Sequence, residues 1–133
     1  MELECKIGEL GHPNRNGMIY PKDVIEKAIQ DYNNKEYKFG EIGDNITSLN
    51  VDLQHISHKV NEIKLKDDNL CVNIELLDTP SGNIAKELIN AGHKLNIKPR
   101  MLINKEKVKK GPGKHSEKEV ITEMNIISFD IVL

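Results

Sequence analysis

The chain has 133 residues, 38% of them hydrophobic, with 19 basic side chains against 21 acidic ones and a net charge of −2. That balance excludes a global pull toward nucleic acid or anionic membrane, and no apolar run reaches the length of a membrane span. With three Tyr, two Phe and no Trp, the core has to be built mainly from Ile, Leu and Val.

Residues 2–8 (ELECKIG) alternate in polarity and predict a first strand. The stretch "GHPNRNGMIYP" that follows is rich in turn formers. Residues 22–34 predict a helix, because Val24, Ile25, Ala28, Ile29 and Tyr32 recur at helical spacing. Pro21 suits its first turn. Residues 36–52 read as a loop with a short strand. Residues 53–66 and 70–77 read as two strands of a hairpin turning at 67–69. The stretch "DTPSGNIAKELINAG" predicts a second helix with Asp78, Thr79 or Ser81 as cap, Ile84, Ala85, Leu88 and Ile89 inside, and Gly92 at its end. Residues 95–103 read as a strand interrupted by Pro99, residues 104–118 as a mobile basic loop, and residues 119–132 as a last strand with an irregularity near Glu123–Asn125. The sum is about six strands and two helices: an α+β domain over 1–133, with a small, mainly antiparallel sheet or barrel and flanking helices.

Cys5 and Cys71 both sit in apolar, strand-like stretches and are expected as reduced, buried thiols. No signal peptide is recognisable, so a reducing cytosolic setting is expected.

Few sites stand out from the residues alone. His55 and His58 invite a metal reading, but residues three apart on a strand point to opposite faces. No cofactor or metal is therefore expected. Ser57 beside His58 is a candidate catalytic pair, yet adjacent strand residues also point opposite ways and are not expected to bond. Lys107, Lys109 and Lys110 belong to the basic loop, which no aromatic residue interrupts for base stacking.

Several stretches carry a resemblance. They are "NRNGMIYPKDVIEKAIQDY" (14–32), "GEI" (40–42), "ISHKVNEI" (56–63), "LLDTPSGNIAKELINAG" (76–92) and "FDIV" (129–132). In this order they resemble the prohead core proteases of tailed bacteriophages, capsid-maturation serine endopeptidases that share a fold with the herpesvirus assemblins. The resemblance implies an assemblin-like fold and a role inside the phage head. It also implies a serine nucleophile in a Ser-Ser-Arg-Gly-like strand after the second helix, and a histidine base in a Gly-Glu-Leu-x-His-Pro-like segment after the first.

Both positions depart from that pattern. Asp44 falls where the histidine belongs, and Lys98 and Pro99 replace the two serines, while the arginine remains as Arg100. Proline offers no nucleophile and no amide N–H, and losing a triad serine or histidine costs orders of magnitude in rate. "GELGHP" at 8–13 resembles the missing segment, but His12 lies before the first helix rather than after it. His58 reads as a remnant of the old site. Relatives continue past the last strand, so the chain is expected to be a bare core domain.

The expected function is therefore a pseudoenzyme in phage head assembly, a virion or assembly protein that binds capsid, scaffold or other head proteins. Lys98, Arg100 and the basic loop would meet acidic partner segments. The alternatives are a working serine endopeptidase with a rearranged site, and a protein that binds a host factor or nucleic acid. A homo-oligomer with an interface near Tyr32 and Tyr37 is a further expectation. The expected location is the host cytoplasm during assembly and the phage head, with no membrane partner.

Overall fold

The structure, a computed structural model, describes residues 1–6, 18–43, 48–67, 69–109 and 117–132; the side chains of residues 6, 108, 109, 117 and 118 lie outside that description. In chain order the elements are β1 (Glu2–Lys6), β2 (Met18–Ile19), α1 (Lys22–Asn33), β3 (Phe39–Glu41), a 3-10 turn (Leu53–His55), β4 (Ile56–Lys66), β5 (Asn69–Leu76), α2 (Pro80–Asn90), β6 (Asn96–Lys109) and β7 (Glu117–Val132). The class is α+β, as the periodicity predicts.

Two sheets carry the core. One has the order β1-β5-β4-β3 and the other β2-β7-β6. All pairings within them are antiparallel except β2 with β7. The sheets meet where β3 runs beside β7: Ile42 bridges Ile131 in parallel, and Gly43 N–H donates to Ile131 O at 2.8 Å. Ile63, Val72 and Ile74 of the first sheet and Ile121, Phe129 and Ile131 of the second are fully buried. The core is thus aliphatic, with one aromatic contact: Tyr32 of α1 meets Phe129 edge-on at 5.3 Å between ring centres.

The helices dock by different means. Helix α1 buries Ile25, Ala28 and Tyr32, the stripe its spacing predicts. Its interface role is corrected at Tyr32, which is 1% exposed, whereas Tyr37 is 70% exposed. Helix α2 starts on Thr79, whose Oγ1 accepts from Gly82 N–H at 2.9 Å and donates to Ile56 O at 2.5 Å. Its buried residues are Ser81, Gly82 and Ala85. Ile84, expected inside, is 53% exposed. The reason is closeness: a Cβ at Gly82 would overlap Leu77 O, so the helix approaches through its smallest residues. At its end Gly92 has φ +91°, with Gly92 N–H bonded to Ile89 O and His93 N–H to Leu88 O, both at 3.0 Å. This pair of bonds closes the helix as a Schellman motif.

Two further expectations are corrected and a third is made specific. The first strand of the predicted hairpin begins at Ile56, because Leu53–His55 form a 3-10 turn. The basic loop is shorter than 104–118, since β6 runs on to Lys109 and β7 starts at Glu117. Lys107 stands opposite Glu119, and Lys105 Nζ meets Glu119 Oε2 at 2.6 Å. The segment is thus a two-stranded ribbon whose cross-strand charges oppose one another. The irregularity expected at Glu123–Asn125 is two β-bulges flanking it: pairing shifts between Asn104 and Lys105 and again between Arg100 and Met101.

Cys5 pairs with Leu70, and Cys71 with Glu4, on adjacent strands. Residues directly opposite share a face, so the two buried thiols point to opposite faces of the sheet.

Candidate functional site: the Arg100 seam and the Ser57–His58 pair

The stretch Leu95–Leu102 places Lys-Pro-Arg on β6, at the edge of the three-stranded sheet among the described residues. Pro99 stands opposite Phe129. Phe129 spends its carbonyl oxygen on His58 of β4, 2.6 Å away, on the side turned from β6. The Pro99–Phe129 pair is therefore a non-hydrogen-bonded position of the ladder, and the proline nitrogen faces the outer edge. No ladder bond is lost, which is how a proline fits here.

Arg100 is 4% exposed. Each of its three nitrogens meets two acceptors. Nε lies 3.0 Å from Ser128 Oγ and 3.0 Å from Asp130 Oδ2. Nη2 lies 2.7 Å from Glu41 Oε2 and 3.1 Å from Asp130 Oδ1. Nη1 reaches the carbonyls of Ser48 at 3.2 Å and Asn50 at 3.1 Å. Asp130 also accepts from Glu41 N–H at 3.1 Å and from Ser128 Oγ at 3.0 Å. One guanidinium thus ties β6, β7, β3 and the loop after β3 together. Burial acts against its charge, but the hydrogen bonds it donates to Glu41 and Asp130, with the charges of those carboxylates, outweigh it and push its pKa up. The expectation that Arg100 meets acidic partners is corrected: its acidic partners are Glu41 and Asp130 of its own chain.

Ser57 and His58 are both fully buried, and Ser57 Oγ lies 2.7 Å from His58 Nδ1. The expectation that adjacent strand residues cannot bond is overturned by a bulge. Gly40 pairs with His58 but Glu41 pairs with Ile56, so Ser57 is an extra residue and the alternation of faces breaks there. Because Phe129 O can only accept, Nε2 carries the ring proton and Nδ1 accepts from the Ser57 hydroxyl. Burial lowers the His58 pKa, with the Phe129 carbonyl and Asp130 acting in the opposite direction. The ring is a neutral strut between the sheets. Gly40 packs against it so closely that a Cβ would overlap both His58 Nε2 and Phe129 O.

The remaining sequence candidates scatter. Lys98 is exposed and stands opposite Asp130, and Lys107 is exposed on the ribbon. His12, Asp44 and Lys110 lie outside the described residues, and Lys109 is described in its backbone alone. The sequence reading missed Glu41, Ser128 and Asp130 as partners of Arg100. A signal was present: two carboxylates in otherwise apolar strand segments, "GEI" and "FDIV", need a buried cation. It weighed His55 only with His58 and missed Asp52, whose Oδ2 lies 2.6 Å from His55 Nδ1.

This α+β arrangement of sheets and helices is a fold already known from a viral protease. The structure superposes on the bacteriophage T4 capsid assembly protease with a TM-score of 0.75 at 20% identity, covering 99% of this chain and 81% of that one. Residues 7–127 match the sequence profile of the prohead core protein serine proteases, and the chain belongs to that family. No curated protein sequence matches it significantly. No helix among the described residues is long and apolar enough to cross a membrane.

Proposed function

We propose that this chain acts in phage head assembly as a binding module on a prohead-protease fold, a single domain that holds capsid, scaffold or other head proteins without cutting them. Membership of the prohead core protein serine protease family supports a role in head maturation. The observation that carries the non-cleaving part is the state of its serine and histidine. Among the described residues, the hydrogen-bonded serine–histidine pair is Ser57–His58, and it is sealed in the core. A working endopeptidase needs that pair in an open groove, with donors for the oxyanion. The strand where the resemblance expects the nucleophile carries Lys98 and Pro99 instead.

Contact with partners then falls to exposed groups. Lys98 and the Lys107 ribbon are basic points for acidic segments of head proteins, acting in the host cytoplasm where heads assemble. The ribbon's own glutamates oppose its lysines, which favours a protein partner over nucleic acid. Tyr37, exposed and stacked on Phe39 at 6.3 Å, is the apolar point for self-association.

The test is intact-mass spectrometry of neighbouring head proteins produced with and without this chain. Whole masses together with co-purification of a head protein support the binding role. Defined truncations that appear only with this chain refute it.

A further inference from the structure

The seam has an outer end that the family role does not use. Glu41, Asp52 and His55 each bring one ligand-type atom to a common place, and these atoms lie within 4.8 Å of one another. From this geometry we infer that Glu41, Asp52 and His55 form a binding site for a divalent transition-metal ion, zinc being the best match to one imidazole and two carboxylates.

The local fold explains how they meet. Asp52 caps the 3-10 turn, its Oδ1 accepting from Gln54 N–H at 3.0 Å. Side chains three apart on such a turn eclipse, which brings Asp52 Oδ2 to 2.6 Å from His55 Nδ1. Glu41 holds Asp52 from below, its Oε2 accepting from Asp52 N–H at 3.2 Å. Ligands on a tetrahedral ion with bonds of about 2.0–2.2 Å stand about 3.3 Å apart. Asp52 and His55, 2.6 Å apart, have to part by a fraction of an ångström, and Glu41, within 4.8 Å of both, has to draw in.

Two features favour a cation there. The carboxylates of Glu41 and Asp130 share the single guanidinium of Arg100, and Asp52, whose backbone N–H donates to Glu41 Oε2, sets a third carboxylate beside them. A divalent ion at the outer end offsets Glu41 and Asp52. Second, Arg100 bonds Glu41 through Oε2, so Oε1 makes the metal bond while the guanidinium orients the carboxylate from behind, the role that outer partners play at metal sites. The side chains of Asp52 and His55 are 46% and 63% exposed, so an ion can enter and a fourth ligand can come from water.

The test uses untagged protein and the metal alone. Co2+ is titrated and followed by its visible d–d absorption, with Zn2+ then added as competitor. The expected result is a saturating signal at one equivalent that Zn2+ displaces. Affinity falls at least tenfold in both His55→Ala and Asp52→Asn and is unchanged in His93→Ala. Both substituted side chains are exposed, so circular dichroism should show an intact fold. Absence of a d–d signal, or an affinity indifferent to His55→Ala, overturns the site.

Discussion

His58 Nε2 stands 2.6 Å from the carbonyl oxygen of Phe129, and this contact joins an inner strand of the four-stranded sheet to the central strand of the other. It fixes the ring as the Nε2–H tautomer, turns the Phe129 carbonyl away from β6, and thereby leaves Pro99 at a position where no donor is missing.

A buried neutral histidine makes stability depend on pH. The folded-state pKa of His58 is lowered by burial, so below its unfolded value the unfolded chain binds more protons. Stability is then present above about pH 6.5 and falls as pH drops through that value. Urea midpoints measured between pH 8 and 5 should decline in the wild type. In His58→Gln, whose Nε2 can still donate to Phe129 O, the decline should be shallower. Equal slopes would show that His58 does not report this proton.

Arg100 offers a larger effect. Arg100→Met leaves Glu41 and Asp130 facing each other inside the protein. Breaking a buried pair from one side typically costs about 3–5 kcal/mol, enough to lower soluble yield and shift the urea midpoint strongly. By contrast, Glu119→Gln removes a half-exposed partner of Lys105 and should change stability by less than about 1 kcal/mol.

Gly40→Ala tests the closeness of the sheets. The new methyl has to displace His58 or the Phe129 backbone, and overpacking of this kind costs about 1–3 kcal/mol or more. Denaturation of Gly40→Ala and Gly43→Ala gives a controlled comparison. Gly43 has open space around its Cβ position but φ +114°, so its loss reports backbone strain alone.

Burial pushes the Cys5 thiol up to about 11. At neutral pH little thiolate forms, so labelling by a thiol reagent should be slow in the native protein and fast in urea. Fast native labelling at Cys5 would mean that β1 opens from β5.

Much of the fold was legible because its elements carry strong periods. Val24, Ile25, Ala28 and Tyr32 outline α1, and Thr79 with Gly92 frames α2. The ribbon was not legible, since "NKEKVKK" shows no alternation of apolar and polar residues; its order comes from a backbone ladder with β7. Strand β2 is two residues long, below what any pattern can signal. The site was half legible. The family pattern singled out Arg100, but its partners are spread over three segments. The Ser57 bulge exists only in the pairing of β3 with β4, and a single strand's sequence does not encode that.

An open strand edge invites a neighbour to add itself to the sheet. Along β6 the invitation is broken at Pro99, whose nitrogen faces outward with nothing to donate. Two molecules of this protein cannot zip edge to edge past that point. Pro99 thereby makes the strand a poor seed for aggregation.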